Sequence, residues 1–364
     1  MIEETPQYYF LIFSGFLVGM IILSVITNSI LLRFVRTLGM RERDGDMVRW
    51  SAASKPSIGG ITFFMVFLIS FLFYFIFFYR QSIFLDSVTF GLVITILLAF
   101  LMGLADDAYN TKPLLKFLIQ IACGVILFFT GTSIDYFDNT LLNFVLTVLW
   151  VVGIMNSINM LDNMDGITTI VSIFILITAL IVMALNGMWL TTEFVVLLGV
   201  VGGLVGFLFH NWNPAKMYMG DTGSQFLGLI LAFVGIRYFW NIHHFVEIDI
   251  PRVQSLVVVL LVFALPISDT TTVVINRLRR KQSPFVGGKD HTTHCLSYAG
   301  FSDSQVAMLF MGVALISAIL TVYVTHFIQN WTLWTAIVSG SFFFLVLIAL
   351  YTVSRIFKSN YINK

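Results

Sequence analysis

Eleven apolar runs of 18 to 25 residues occupy most of this 364-residue chain, at 8–32, 58–79, 83–104, 113–131, 140–160, 167–186, 192–209, 222–241, 253–276, 304–327 and 331–354. Coiled as a helix, a run of that length matches the hydrocarbon thickness of a bilayer. In lipid a spanning backbone must satisfy its own N–H and C=O groups, which a helix does without a partner. With 58% apolar and only 11% charged residues, no water-soluble fold of this size could cover the apolar surface. The expected architecture is all-α and polytopic, about eleven transmembrane helices in a single integral-membrane domain over 1–364. Pro266 and Asp269 make 253–276 the run most open to a kink.

An odd number of spans puts the termini on opposite sides. Seventeen of the twenty Lys and Arg then fall on one side, and only Arg80, Arg237 and Arg252 on the other. The positive-inside rule therefore predicts the N-terminus outside and the C-terminus in the cytoplasm. Cytoplasmic loops are expected near 33–57, 105–112, 156–166, 210–221 and 277–303. Glu3 and Glu4 replace a basic leader, and the first run is long enough to span, so no cleaved signal peptide is expected. Cys123 and Cys295 lie in unlike surroundings and are not expected to pair.

Charge inside such a chain is costly and marks candidate functional sites. Carboxylates and amides gather at the expected cytoplasmic span ends: Asp106-Asp107, the stretch Asn156 to Asp165, Asp221 and Asp269. Lys55, Lys112, Lys116, Lys216, His291 and His294 fall at the same face. Oxygen donors of this kind suit Mg²⁺ or Mn²⁺, and no thiolate cage for zinc is in view. Lysines beside such an ion are point charges for phosphate. Metal, lysine and carboxylate at a bilayer surface suit transfer between a soluble phosphate donor and a lipid acceptor. The steps of three from Asn156 through Asn159 and Asp162 to Asp165 do not keep one helical face, so a helix ending within the motif is expected, with Asn159 and Asp162 aimed together.

In this order along the chain, Lys55-Pro-Ser-Ile-Gly59-Gly60, Asp106-Asp107, Asn156-x-x-Asn159-x-x-Asp162-x-x-Asp165-Gly166, Gly220-Asp221-x-Gly223-Ser224 and Asp290-His291-Thr-Thr-His294-Cys-Leu296 resemble the motifs of polyprenyl-phosphate N-acetylhexosamine-1-phosphate transferases. The resemblance implies a Mg²⁺-dependent attack of a polyprenyl phosphate on the β-phosphorus of a UDP-amino sugar, releasing UMP. It places Asp106 and Asp107 beside the acceptor phosphate, Asn159 as an active-site amide, Asp221 as the metal ligand, Lys116 as a phosphate lysine, and His291 and His294 at the donor diphosphate. Asp162 joins the catalytic group; Lys55, Lys112, Asn156 and Asp165 join the substrate-binding group. Asp106 or Asp107 either accepts a proton, holds the metal or orients a lysine.

Muramoyl-pentapeptide transferases carry consecutive histidines in the late loop, whereas this chain reads His291-Thr-Thr-His294. That departure favours N-acetylglucosamine-1-phosphate transfer to undecaprenyl phosphate in a bacterial inner membrane, with the site on the cytoplasmic face. Pentapeptide-type specificity is the alternative, and a secondary transporter is the rival class, although transporters commonly keep ionisable groups near the midplane. Membrane lipid is an expected partner, nucleic acid is not. Simpler roles are available to several residues. Lys112 and Lys116 could snorkel, Arg277, Arg279, Arg280 and Lys281 could set topology and bind anionic lipid, and His210, His243, His244 and His326 flank spans at interfaces. The Phe-rich run 63–78 reads as packing material.

Overall fold

The computed structural model describes residues 6–38, 55–78, 86–244, 252–283, 288–328 and 330–357. The expected loop at 33–57 lies largely outside these residues, as do Arg80 and residues 284–287 of the expected loop 277–303. The described residues form thirteen α-helices: α1 Pro6–Leu38, α2 Gly59–Phe77, α3 Ser87–Tyr109, α4 Pro113–Phe129, α5 Thr140–Leu161, α6 Ile167–Leu185, α7 Thr192–Asn211, α8 Gly220–Val234, α9 Arg252–Val262, α10 Ala264–Arg279, α11 Thr292–Tyr298, α12 Asp303–Val322 and α13 Leu333–Ile356. No strand is present among the described residues, only a single bridge between Ser57 and Tyr218.

The described residues of all eleven apolar runs are mainly helical, and nine or ten crossings are recognised among them where about eleven were expected. Nine of the described helices are long and apolar enough to cross a membrane, α8 counting with its wide-turn extension to Trp240. A tenth crossing appears only if α9 and α10 are taken together, and they meet at 79°. The break falls between Val262 and Ala264, because Pro266 has no N–H to bond the carbonyl of Val262 and its ring crowds that carbonyl. Helix α4, at 17 residues, is shorter than the rest.

Local signals explain where helices start. Asp86 accepts from the N–H of Thr89 at the head of α3, and Asn139 from Leu141 and Leu142 at the head of α5. Pro113 opens α4, where a missing N–H costs nothing. Ser302 and Gln305 form a capping box on α12.

Helix α8 is the axis of the bundle. Every residue from Thr222 to Val234 is buried, and α2, α3, α5 and α6 pack around it. A helix apolar on all sides belongs in an interior. In lipid the attraction between helices is close packing rather than water exclusion, so small residues mark the tightest crossings. At Gly60 of α2 a methyl group would overlap the backbone of Gly223, and at Gly103 of α3 it would overlap Asp221 and Thr222. The Phe-rich run does pack as expected: Phe63 and Phe67 are buried against Phe226, and Phe64 stacks on Phe100 at 4.1 Å between ring centres.

These crossings predict that Gly60→Ala lowers stability by about 1–3 kcal/mol through overpacking. Gly153→Ala, where a Cβ meets nothing within 4 Å, serves as control. Thermal melts in detergent should show a clear fall for the first and none for the second.

Candidate active site

The polar motifs meet at one end of the bundle, where α3, α5, α7 and α10 finish and α4, α6 and α8 begin. Residues 55–60 and 218–220 are stitched together first. The N–H of Tyr218 bonds the carbonyl of Pro56 at 2.9 Å, and the N–H groups of Gly59 and Gly60 bond Tyr218 and Met219 at 3.1 and 3.0 Å. This fixes the entry to α8 against the entry to α2.

Asp107 closes the open end of α8. Its carboxylate accepts from the N–H of Asp221 at 3.1 Å, from the N–H of Thr222 at 2.8 Å and from the Thr222 hydroxyl at 2.6 Å. Gly220 turns with φ of 72°, and a Cβ there would stand 2.6 Å from the Asp107 carboxylate. The close approach that the glycines allow is therefore taken up by Asp107 and by the carbonyl of Ser57. An Asp at such a position satisfies helix donors and faces the positive end of the helix dipole.

Since Asp107 supplies the cap, the Asp221 side chain is free for other work. Its Oδ1 accepts from Lys116 Nζ at 2.9 Å and from Asn159 Nδ2 at 2.6 Å, and the residue remains partly exposed. Lys116 also pairs with Asp106 at 2.7 Å. The other Asp106 oxygen accepts from the N–H and hydroxyl of Thr111, holding the turn into α4. The Asp-Asp pair is thus divided: Asp106 holds Lys116, and Asp107 holds the backbone of α8. Asn159 donates in addition to the Ser224 hydroxyl at 2.8 Å.

A tier of amides lies one turn deeper. Asn156 donates to Gln120 at 2.7 Å, and Gln120 donates to Gln225 at 3.0 Å. Gln120 follows Lys116 by four residues and Gln225 follows Asp221 by four, so each lies beneath its partner on the same helical face. Asn156, expected to bind substrate, is partly buried and bonds to this tier through Gln120. Gln120 and Gln225 were missed from the sequence, although their four-residue spacing from Lys116 and Asp221 was there to be seen.

Helix α5 ends within the motif, as expected, with Asp162 just past its last residue and Gly166 at φ of 77° before α6. Asn159 bonds Asp221, and Asp162 lies near enough to feel its charge. Burial, and after it the charges of Asp221, Asp107 and Asp165, push the Asp162 carboxyl up to about 8. Asp165 turns the other way. It accepts from the N–H of Ala215 at 2.8 Å, from Asn213 at 3.1 Å and from Lys55 at 3.4 Å, so it fastens the 210–219 loop. Lys55 also sits 5.2 Å from the ring centre of Tyr218. Lys112 is exposed at the head of α4 and joins none of these contacts.

The late histidine motif reaches the same place through Asn163, which accepts from the Thr293 hydroxyl at 2.6 Å. His291 Nδ1 lies 3.0 Å from Asp269, whose other oxygen accepts from the N–H and hydroxyl of Thr292. A carboxylate there requires a protonated Nδ1, which leaves Nε2 as the reactive side of the ring. Burial, then the charge of His291, pushes His294 down to about 3, so this ring is neutral near pH 7. Arg277 grips the buried Asp290 through two bonds of 3.1 and 2.7 Å, and Arg280 pairs with the same carboxylate. Burial alone would raise Asp290, but Arg277, with His291 and Arg280 behind it, holds its carboxyl below the usual range. Arg277 and Arg280 are therefore tied into the late-loop segment through Asp290, a partner not expected for residues read as topology determinants.

The family model for glycosyl transferase family 4 matches residues 89–239, a stretch that holds Asp106, Asp107, Lys116, the 156–166 motif and Asp221. The chain is 31% identical over 265 residues to a probable undecaprenyl-phosphate N-acetylglucosaminyl 1-phosphate transferase of Bacillus subtilis, covering 70% of this chain and 68% of that protein. The chain belongs to glycosyl transferase family 4. It is an integral membrane phospho-sugar transferase. A phospho-N-acetylmuramoyl-pentapeptide-transferase of Listeria innocua is 29% identical over 348 residues, 87% of this chain and 99% of that one. One from Streptococcus agalactiae is 30% identical over 251 residues, 61% of this chain and 73% of that one.

Two outcomes follow from this geometry. Asp107→Asn keeps an oxygen for the α8 donors and should stay folded, whereas Asp107→Ala removes the cap and should cost about 0.5–2 kcal/mol in a detergent melt. The raised Asp162 carboxyl binds a proton more readily folded than unfolded, so its contribution to stability is full at low pH and is lost as pH climbs toward 8. Chelator-treated protein should therefore melt at falling temperature from about pH 5 to about pH 8, and Asp162→Asn should flatten that slope.

Proposed function

We propose that this transferase moves N-acetylglucosamine-1-phosphate from UDP-N-acetylglucosamine to undecaprenyl phosphate, releasing UMP and making the first lipid-linked intermediate of a cell-envelope polysaccharide. The observation that carries this reading is the Asp221 carboxylate, held on one oxygen by Lys116 and Asn159 while Asp107 does the helix capping. A carboxylate freed from structural duty, beside a lysine and at a bilayer boundary, is what phosphoryl transfer to a lipid phosphate requires.

Mg²⁺, or Mn²⁺ in its place, is the cofactor this reading calls for, and the chain's own donors fit it. Asp221 and Asp162 are hard oxygen donors; burial first, and after it the charges of Asp221, Asp107 and Asp165, raise the Asp162 carboxyl, and a divalent ion would relieve the second of these. When bound, the ion neutralises charge on the donor diphosphate. The protein's residues do the rest. Lys116, tied to Asp106 and Asp221, brings positive charge to the meeting point of two anionic phosphates. A phosphate monoester is already mostly dianionic near neutral pH, its second pKa being about 6, so little base catalysis is needed for the acceptor oxygen to attack. The β-phosphorus gains that oxygen as the bond to UMP breaks. His291, with Nδ1 fixed by Asp269, presents Nε2 on the donor side, and Lys55 lies at the other rim. The basic side chains gathered at this end favour a cytoplasmic site in a bacterial inner membrane, with the whole chain acting as one transferase domain.

The sugar preference draws on the late loop. Thr292 bonds Asp269 and Thr293 bonds Asn163, so two positions between the histidines are committed inward and no run of imidazoles faces the donor. This favours the simple amino sugar over a muramoyl-pentapeptide.

Purified protein incubated with undecaprenyl phosphate, Mg²⁺ and each of several UDP-amino sugars should release UMP fastest with UDP-N-acetylglucosamine, and mass spectrometry should find that sugar on the lipid. A preference for the muramoyl-pentapeptide donor would overturn the assignment. Asp221→Asn should insert and fold, yet lose at least ~100-fold in turnover, at the upper end of what loss of groups around a metal typically costs.

A further inference from the structure

A second constellation sits at the opposite end of the bundle, where α4 gives way to α5 and the extended α8 runs out. Asp135, His243 and His244 come together there, and one potential ligand atom from each lies within 4.8 Å of the others. Both imidazole Nε2 atoms stand 3.7 Å from the same carboxylate oxygen, Asp135 Oδ2. That spacing is too long for a hydrogen bond. It is close to the separation of about 3.4 Å between neighbouring ligands on a tetrahedral zinc with bonds of about 2.0–2.1 Å.

The carboxylate is held in place from behind. Asn143 Nδ2 lies 3.4 Å from Asp135 Oδ1, so Oδ2 is the oxygen turned to the two rings. Asn143 also accepts from the N–H groups of Tyr136 and Phe137 at 3.2 and 2.8 Å, fixing the backbone that carries Asp135. From the other side, Asn241 accepts from the N–H of Asp135 at 3.0 Å and donates to the carbonyl of Ser133 at 2.7 Å. The segment bearing the histidines and the segment bearing the carboxylate are therefore locked together independently of any His–Asp contact. Supporting bonds of this kind orient ligands at metal sites. The Asp135 and His244 side chains are about half exposed, so an ion can enter from solvent with water completing its shell.

From this geometry we infer that Asp135, His243 and His244 form a binding site for a transition-metal ion of the zinc class, clipping the α4–α5 connection to the end of α8. Two imidazoles and one carboxylate with open positions are a borderline set that suits Zn²⁺ and discriminates against Mg²⁺. The site is remote from Asp221 and its role is structural, so it stands whether or not the proposed reaction does.

The test uses full-length protein in detergent, with no histidine tag and after treatment with chelator, titrated with ZnCl₂ by calorimetry. One Zn²⁺ per chain should bind with micromolar affinity, and MgCl₂ should not compete. His244→Ala and Asp135→Asn should each weaken that binding at least tenfold, while His326→Ala should leave it unchanged. Wild-type protein should also gain melting temperature with ZnCl₂, and the two site variants should not. Because none of these residues belongs to the transferase site, retained UMP release by both variants would show that they are folded. Absence of Zn²⁺ binding to wild type, or equal affinity in wild type and both folded variants, would overturn the assignment.

Discussion

The carboxylate of Asp107 at the head of α8 is the contact on which the rest of the site depends. A helix end packed against its neighbours leaves backbone donors that must find partners. Asp107 supplies them from α3, and the glycines of 220–223 let α2 and α3 come near enough for that to happen. With the donors satisfied from outside, Asp221 is left to face Lys116 and Asn159. One acidic residue does the structural work so that another can do chemistry.

Much of this was legible in the sequence because the signals were strong. Apolar runs long enough to cross a bilayer have few alternatives to helix, and the described residues of all eleven are mainly helical. The polar motifs at their ends were recognisable as one constellation, since charge is rare in such a chain and its placement is therefore informative. The end of α5 inside the 156–166 motif followed from a spacing of three that no α-helix can keep on one face.

What escaped was whatever depends on a partner far along the chain. Nothing in Asp106-Asp107 says that one residue will hold a lysine and the other a helix end, because that division is set by where α4 and α8 lie. Arg277 and Arg280 looked like ordinary basic residues near a span end until Asp290 was seen between them. The bend before Pro266 falls at Phe263, one turn earlier than the proline itself, because a proline disturbs the carbonyl of the residue four before it. Nothing in the spacing of the 156–166 motif marks Asn163, yet it ties the late histidine segment to the rest.

The amide tier beneath Asp221 acts as a vernier. Gln120, Asn156 and Gln225 each offer donor and acceptor on one short group, so they interlock only when α4, α5 and α8 stand at one relative height. Sliding any of the three by a residue would break the Asn156–Gln120 and Gln120–Gln225 bonds, whereas apolar neighbours could slide and repack. The bundle's lengthwise alignment is thereby keyed by uncharged groups that do not titrate, and the reacting groups above inherit that alignment at any pH.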